Sequence, residues 1–263
     1  MLKEQRLNQI TAMANREQGV SIHELVAELD VVEMTIRRDL ALLEKQGRIR
    51  RVRGGAISVE QQITNNKLAE LDLSFRRKKA VKEKTIIARY AAQHLVNDNE
   101  IITLEAGTTA ASMIPYLTQK NLTILTNGLK TTLEATTHLP GLTLMNCGGI
   151  FQEGLFTFVG PQAESFFEGF KADKLFLSGT GIDPLDGFTD PNILEIQVKQ
   201  AMAHGAKQVI VLMDSSKFGR RSLTPILPLQ EIDILITDSG APANMVQSLK
   251  NQNIDVIVVD EIA

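Results

Sequence analysis

The sequence predicts an α/β protein with two domains, an N-terminal winged helix-turn-helix and a C-terminal domain built on an open, mostly parallel sheet. Two short amphipathic helices followed by a basic hairpin predict the first domain. Short apolar runs that alternate with helical segments predict the second. The predicted boundaries are 1–58 for the first domain, 59–74 for a polar linker and 75–263 for the second domain. A chain of 263 residues is long enough for both.

The helix-turn-helix follows from helix signals in the first 46 residues. Ser21 and Glu24 have the spacing of a capping box, in which a serine hydroxyl and a glutamate carboxylate each accept a hydrogen bond from a backbone N–H at a helix start. Apolar residues behind Ser21 lie on one face of this short helix. A third helix is predicted to begin near Glu33, after a connection too short for anything but a tight turn.

The third helix has a short, basic outward face. Ile36, Leu40 and Leu43 have the spacing of a core-facing side. The residues that point the other way, or flank that outward face, are Met34, Thr35, Arg37, Arg38, Ala41 and Lys45. A helix of this kind fits the major groove of DNA, where arginine pairs with guanine and a small apolar group contacts a thymine methyl.

A basic segment interrupted by two glycines follows the third helix and predicts a hairpin wing that contacts phosphates. Together with the helix, it gives the predicted DNA-binding set, which is Met34, Thr35, Arg37, Arg38, Lys45, Arg50, Arg51, Arg53, Gly54 and Gly55. The charge distribution along the chain supports this predicted DNA-binding set. Residues 35–55 hold seven basic and two acidic side chains, a net +5, on a chain whose formal net charge is −3. A local basic patch on an acidic chain indicates one segment that meets a polyanion, although a solvated helix face would have the same composition.

The second domain is predicted from apolar runs rich in leucine and β-branched residues, which suit parallel strands buried on both faces. These runs are Ile101–Leu104, Leu122–Leu125, Leu142–Met145, Leu175–Leu177, Val209–Met213, Ile232–Ile236 and Val256–Val259. Five of them end in loops of small and hydrogen-bonding residues. Such loops occur for backbone reasons alone, but five at corresponding strand ends favour a ligand crevice. In it, backbone N–H groups, Lys199 and Lys217 suit a phosphate, and carboxylates suit sugar hydroxyls.

Several motifs together resemble the DeoR-type family of bacterial transcriptional regulators, and the resemblance covers nearly the whole chain. They are Met34–Leu40, Leu43–Gly47, Arg53–Ala56 and the crevice loops. Three positions depart from the family pattern. Val32 stands in place of a capping serine before the third helix, Arg53 in place of histidine and Glu105 in place of aspartate.

The resemblance implies a repressor of a carbohydrate-use operon, relieved by a phosphorylated sugar or a related metabolite. It implies a homo-oligomer on double-stranded operator DNA, and a second domain with the fold of sugar-phosphate isomerases, deaminases and coenzyme A transferases. The effector residues that it implies are Glu105, Gly107, Thr108, Thr109, Thr126, Asn127, Gly148, Gly149, Gly179, Gly181, Asp183, Lys199, Asp214 and Lys217.

The alternative is a sugar-phosphate isomerase-like enzyme that carries an accessory DNA-binding module. Glu105, Asp183 and Asp214 would then be candidates for proton transfer. A basic wing has no use in an isomerase, so the sequence favours the regulator and no catalytic residue is assigned.

Other sites are not expected. A single cysteine, Cys147, and four scattered histidines predict neither a disulfide framework nor a metal site. The glycine motif at 179–184 has proline in place of a third glycine, and no P-loop is present, so no cofactor is predicted.

The sequence shows neither a signal peptide nor an apolar run of membrane-spanning length. We therefore expect a cytoplasmic protein, associated with the nucleoid when it is bound to DNA.

Overall fold

The computed structural model describes residues 3–16, 20–52, 55–58 and 80–260. The chain divides into two compact units, Met1–Asp72 and Leu73–Ala263. The predicted linker at 59–74 and two residues of the predicted wing, Arg53 and Gly54, lie outside the described residues. Within the described ranges, no helix combines the length and the apolar character needed to cross a bilayer.

The first unit contains three helices and a small antiparallel sheet. The helices are α1 (Lys3–Arg16), α2 (Ile22–Leu29) and α3 (Glu33–Lys45), and the strands are β1 (Val20–Ser21), β2 (Ile49–Val52) and β3 (Gly55–Ser58). The strand order is β1-β3-β2. The predicted capping box is confirmed, because Ser21 Oγ accepts from Glu24 N and Glu24 Oε2 accepts from Ser21 N. The helix-turn-helix and its β2–β3 hairpin are therefore present as predicted.

The core of the first unit fixes the orientation of α3. Ile36, Leu40 and Leu43 are buried against α1 and α2, as their spacing predicts. On the same side of α3, Asp39 is buried, and its Oδ2 accepts a hydrogen bond from Arg6 Nε of α1 at 2.6 Å. This pair joins α1 to α3 and leaves the opposite side of α3 exposed.

The second unit is built on a seven-stranded parallel sheet with the order β15-β14-β12-β9-β4-β5-β6. Its strands are β4 (Ile101–Leu104), β5 (Thr123–Thr126), β6 (Thr143–Asn146), β9 (Ala172–Leu177), β12 (Ala206–Leu212), β14 (Ile234–Asp238) and β15 (Asp255–Val259). The shorter strands are β7 (Ile150–Gln152), β8 (Thr157–Val159), β10 (Gly181–Asp183), β11 (Gly187–Asp190) and β13 (Thr224–Leu227). The helices are α4 (Val81–His94), α5 (Thr108–Ala111), α6 (Leu129–His138), α7 (Pro161–Gly169), α8 (Ile193–His204) and α9 (Ala243–Lys250).

Hydrophobic clusters cover both faces of this sheet, which explains why its strands are continuous apolar runs. Phe176 of β9 packs in one cluster with Ile87 of α4. Its neighbour Leu177 packs on the other side with Phe167 of α7 and Val198 of α8. The seven predicted runs are the seven strands of the sheet, with ends that differ by a few residues, so the predicted fold class is confirmed.

The chain order of the strands places a crevice at one point of the sheet. From β4 the chain moves outward to β5 and β6, whereas from β9 it moves the other way to β12, β14 and β15. The neighbours β4 and β9 therefore form a topological switch point, where the loops that follow them separate and leave a crevice at their carboxyl ends. Glu105 follows β4 and Ser178 follows β9, so both lie at this position.

Candidate functional site

The outward face of α3 presents the predicted DNA-reading residues. Met34 is 61% exposed, and Arg38 and Lys45 are also exposed, whereas Thr35 on the flank is half-buried. The helix begins after Val32, which provides no side-chain cap, as expected from the loss of a serine there. This face is basic at Arg38 and Lys45 and apolar at Met34, a combination that suits a major groove.

The hairpin adds one described basic side chain to this surface. Arg51 of β2 is exposed, and its backbone N–H donates to Glu44 Oε1 at 3.0 Å, which ties the hairpin to the end of α3. Gly55 on β3 has a structural reason to be glycine, because a Cβ there would lie 2.1 Å from the carbonyl oxygen of Val20. The side chain of Arg50, like Arg53 and Gly54, lies outside the described part of the structure.

A buried charged cluster occupies the switch point of the second unit. Lys199 Nζ lies 2.8 Å from Asp190 Oδ2 and 3.6 Å from Glu105 Oε1, and it donates to the carbonyl of Ser178. Glu105 Oε2 accepts from Ser178 Oγ at 3.1 Å and from the backbone N–H of Gly107 at 2.8 Å. The hydrogen bonds to Glu105 Oε2 and those that the Lys199 ammonium donates to Asp190 and Ser178 therefore hold the cluster in one geometry.

Three carboxylates surround the one ammonium of Lys199, since Glu195 lies one helical turn before it on α8. Burial favours the neutral amine, but the charges of Glu105, Asp190 and Glu195 outweigh it and raise the pKa of Lys199. Lys199 is therefore charged at neutral pH. Within the described residues, no group of three or more histidine, cysteine, aspartate or glutamate side chains is arranged to hold a metal ion.

The cluster lines one of two adjoining cavities that together form the crevice. The inner cavity, of about 30 Å³, is lined by the cluster and by Gly107, Thr109 and Lys217. The outer cavity, of about 180 Å³, is lined by Lys84, Thr85, Ser112, Lys130 and Phe156, among others. The two cavities share Ala106, Thr108 and Leu155 as lining residues.

The outer cavity is the more basic of the two. Lys84 of α4 is buried, with 6% of the residue exposed, and Lys130 of α6 lies with its Nζ 4.3 Å from the centre of the Phe156 ring. Hydroxyl groups of Thr85, Thr108 and Ser112 belong to the same lining. With Glu134 also in its lining, the outer part of the crevice has two lysines and one carboxylate, whereas the inner part has three carboxylates and two lysines.

Half of the predicted effector residues line this crevice. They are Glu105, Gly107, Thr108, Thr109, Gly179, Lys199 and Lys217. The other seven lie outside its lining, and they are Thr126, Asn127, Gly148, Gly149, Gly181, Asp183 and Asp214. Lys199 lies in the crevice with Asp190 and Glu105 as ion-pair partners, and its predicted role toward a phosphate stays a prediction.

The residues outside the lining have contacts within the fold. Asp214 Oδ1 accepts from the backbone N–H of Ser216 at the start of a short 3-10 helix, and Asp183 Oδ1 accepts from the N–H of Leu185 in the β10–β11 turn. Asn127 Oδ1 accepts from the N–H of Ala106. Asp183 and Asp214 therefore have a role in shaping loops, their assignment to the effector set stays a prediction, and Asn127 positions the loop that lines the crevice.

Five charged lining residues were not predicted from the sequence, namely Lys84, Lys130, Glu134, Asp190 and Glu195. Glu195 had a signal, because it precedes Lys199 by four residues on a helix that is otherwise largely apolar. The others had none, since only the fold brings α4, α6 and the end of β11 to one place.

A winged helix-turn-helix with a basic outward face defines a DNA-binding transcriptional regulator. The chain matches the DeoR-like helix-turn-helix domain at residues 6–62 and the DeoR C terminal sensor domain at residues 79–239. It therefore belongs to the DeoR family of transcriptional regulators, and its curated relatives are named as regulators of transcription.

Relatives agree with this assignment over the full length. The chain is 36% identical to the uncharacterized HTH-type transcriptional regulator YulB of Bacillus subtilis, over 98% of each chain. It is 33% identical to the putative aga operon transcriptional repressor of Escherichia coli O157:H7, over 98% of this chain and 94% of the relative. Among solved structures, ribose 5-phosphate isomerase from Plasmodium falciparum aligns with 51% of this chain and 52% of its own, at 17% identity and a TM-score of 0.37. That likeness is too distant to bear on function.

Proposed function

We propose that the protein is a homo-oligomeric repressor of a carbohydrate-use operon, and that a phosphorylated sugar in the crevice of the second unit relieves repression. The observation that carries this proposal is the difference in charge along the crevice, since two lysines outnumber one glutamate around the outer cavity and three carboxylates outnumber two lysines around the inner one. A sugar phosphate has the matching polarity, since one end is an anion and the rest is a row of hydroxyl donors.

The phosphate is placed in the outer cavity, beside Lys84 and Lys130. Ammonium and hydroxyl groups are the donors that bind phosphate through short, charge-assisted hydrogen bonds. Thr85, Thr108 and Ser112 supply hydroxyls in the same lining. The buried position of Lys84 increases the strength of its attraction to an anion, because less water screens the charge.

The sugar hydroxyls are placed at the inner cavity, where Glu105 and Asp190 are acceptors fixed by Lys199. A site built to hydrogen-bond a hydroxyl rejects an analogue that lacks it, because its buried acceptors are then left without a partner. The inner cavity therefore determines which sugar is recognised, and the outer cavity requires that it be phosphorylated.

Repression is supported by the E. coli relative, whose name is that of an operon repressor. For the effector to act, it must bind more tightly to one state of the protein than to the other, since equal affinity would shift no equilibrium. A symmetric oligomer places recognition helices in successive major grooves, so we expect paired half-sites in the operator.

Lys130→Met tests the phosphate position. In the full-length chain, a sugar phosphate at a hundredfold excess over its Kd is expected to stabilise the native protein by about 2.7 kcal/mol. The variant is expected to lose this stabilisation, because the methionine keeps the side-chain length and removes the charge. The measurement is thermal unfolding with a panel of aldose and ketose phosphates and their unphosphorylated parents. Lys120→Met removes an exposed lysine outside the crevice and is the control. An equal response of both variants would remove Lys130 from the site.

Arg38→Ala tests the DNA-reading face of α3. Arg38 is exposed on the side opposite the core, so we expect it to pair with a base, and its loss is expected to weaken operator binding by about 1–3 kcal/mol with little effect on random duplex. The measurement is fluorescence anisotropy with both duplexes at several salt concentrations. Arg51→Ala is the comparison, and it is expected to weaken binding to all sequences and flatten the salt dependence. An equal loss on both duplexes for Arg38→Ala would assign Arg38 to phosphates.

A further inference from the structure

An acidic side chain lies at the start of the predicted recognition helix. Glu33 is the first residue of α3, and its Oε1 lies 2.6 Å from Arg37 Nη2 and 2.7 Å from Arg37 Nε. Both side chains are more than half exposed, at 56% for Glu33 and 54% for Arg37. The pair is therefore on the surface, and it fixes the direction of the Arg37 guanidinium before any DNA is bound.

The surroundings of Glu33 make its charge unusual. Val32 and Met34 on either side of it are 70% and 61% exposed, so the start of α3 presents two apolar side chains around a carboxylate. Phosphates repel a carboxylate, so a negative charge at the tip of a helix that enters DNA weakens binding unless it meets a hydrogen-bond donor. In the major groove that donor is the amino group of a base, such as N4 of cytosine.

We propose that Glu33 and Arg37 recognise one C·G base pair as a unit, with Glu33 accepting from cytosine N4 and Arg37 donating to guanine O6 and N7. The guanidinium has five N–H donors, and the two contacts with Glu33 leave the remaining ones for the guanine. Glu33 is thus both a specificity residue and the positioning residue for Arg37.

A purely structural role for Glu33 makes a different prediction. A carboxylate in the first turn of a helix is stabilised by the positive end of the helix dipole, and α3 has no side-chain cap at Val32. That role concerns the stability of the free protein and gives no preference for any base. The two roles are therefore separated by the sequence that the protein selects.

The experiment is in vitro selection from a random duplex library with the full-length chain, repeated with Glu33→Gln. The amide keeps the size of the side chain and removes its charge. At one C·G position of the selected motif, the variant is expected to lose about tenfold or more in discrimination, the effect of losing one base-specific pair. Arg37→Ala is expected to lose preference at the same position, and the double variant to lose little more, because the two residues act as one unit.

Glu28→Gln is the matched control, since it removes an exposed carboxylate from α2 and is expected to leave the motif unchanged. Glu33→Asp, which keeps the charge but shortens its reach, provides a second variant and is expected to weaken the same position.

Several results would overturn the proposal. They are an unchanged motif, with or without a lower melting temperature, uniformly tighter binding to all duplexes, loss of all duplex binding, or losses at different positions for Glu33 and Arg37. The proposal rests on DNA binding through α3. If the unmodified chain selects no motif, that function fails, whereas a motif indifferent to Glu33 overturns only the present inference.

Discussion

Replacing Lys199 by methionine is expected to lower the free energy of unfolding of the second unit by about 3–5 kcal/mol at neutral pH. The ammonium of Lys199 is buried among Glu105, Asp190 and Glu195. Methionine fills a similar volume, but it leaves three carboxylates in a low-dielectric site without the cation that compensates them. Urea denaturation followed by circular dichroism measures the loss.

The matched control is Lys207→Met, which makes the same chemical change in an exposed ion pair. Lys207 Nζ lies 2.7 Å from Asp173 Oδ1 with its side chain 75% exposed, so solvent screens the pair and we expect less than about 1 kcal/mol. A loss for Lys199→Met no larger than that of the control would show that the cluster does not depend on its ammonium.

The pH range of the Lys199 contribution follows from the direction of its pKa shift. Its pKa is raised in the folded protein above the ordinary value of 10.5. The stabilisation is therefore fully present below pH 10.5 and is lost as the pH rises through the folded value. Measurements near neutral pH report the whole effect.

Asp39→Ala is expected to destabilise the first unit by about 3 kcal/mol, because it leaves Arg6 partly buried without its partner. The 2.6 Å hydrogen bond with Asp39 raises the pKa of Arg6 and joins α1 to α3. Hydrogen exchange of the α1 and α3 amides measures the loss for this unit separately. Arg37→Ala breaks an exposed pair on the same helix and is expected to change stability by less than about 1 kcal/mol. Equal protection in both variants would contradict a structural role for Asp39.

The main sheet could be predicted from sequence because its strands are buried on both faces and are therefore continuous apolar runs. The run Val209–Met213 lies largely within β12, and Ile101–Leu104 is β4. The small strands β10, β11 and β13 were not predicted. They have three or four residues each, with glycine and aspartate in β10 and β11 and proline in β13, so neither length nor alternation distinguishes them from loops.

Only part of the crevice lining could be predicted from the sequence. Lys199 and Glu105 were found from motifs, but the neighbours that set their chemistry are distant in sequence and come together through the β4–β9 switch point. Asp183 and Asp214 stay predictions, because an aspartate that caps a turn and one that binds a ligand have the same local sequence. Lys84 was not predicted at all. A lysine in a helix is usually exposed, and the sequence around Lys84 does not indicate that this one is buried in the folded protein.

The most direct test of the account is whether a phosphorylated sugar releases the protein from DNA. Fluorescence anisotropy would follow the full-length chain on a duplex that it selects, during titration with aldose and ketose phosphates and their unphosphorylated parents. The account predicts that at least one phosphate ester dissociates the complex where its parent sugar does not, and that Lys130→Met abolishes the effect while leaving DNA binding intact. Salt-sensitive binding to the duplex that no phosphorylated sugar weakens would contradict it.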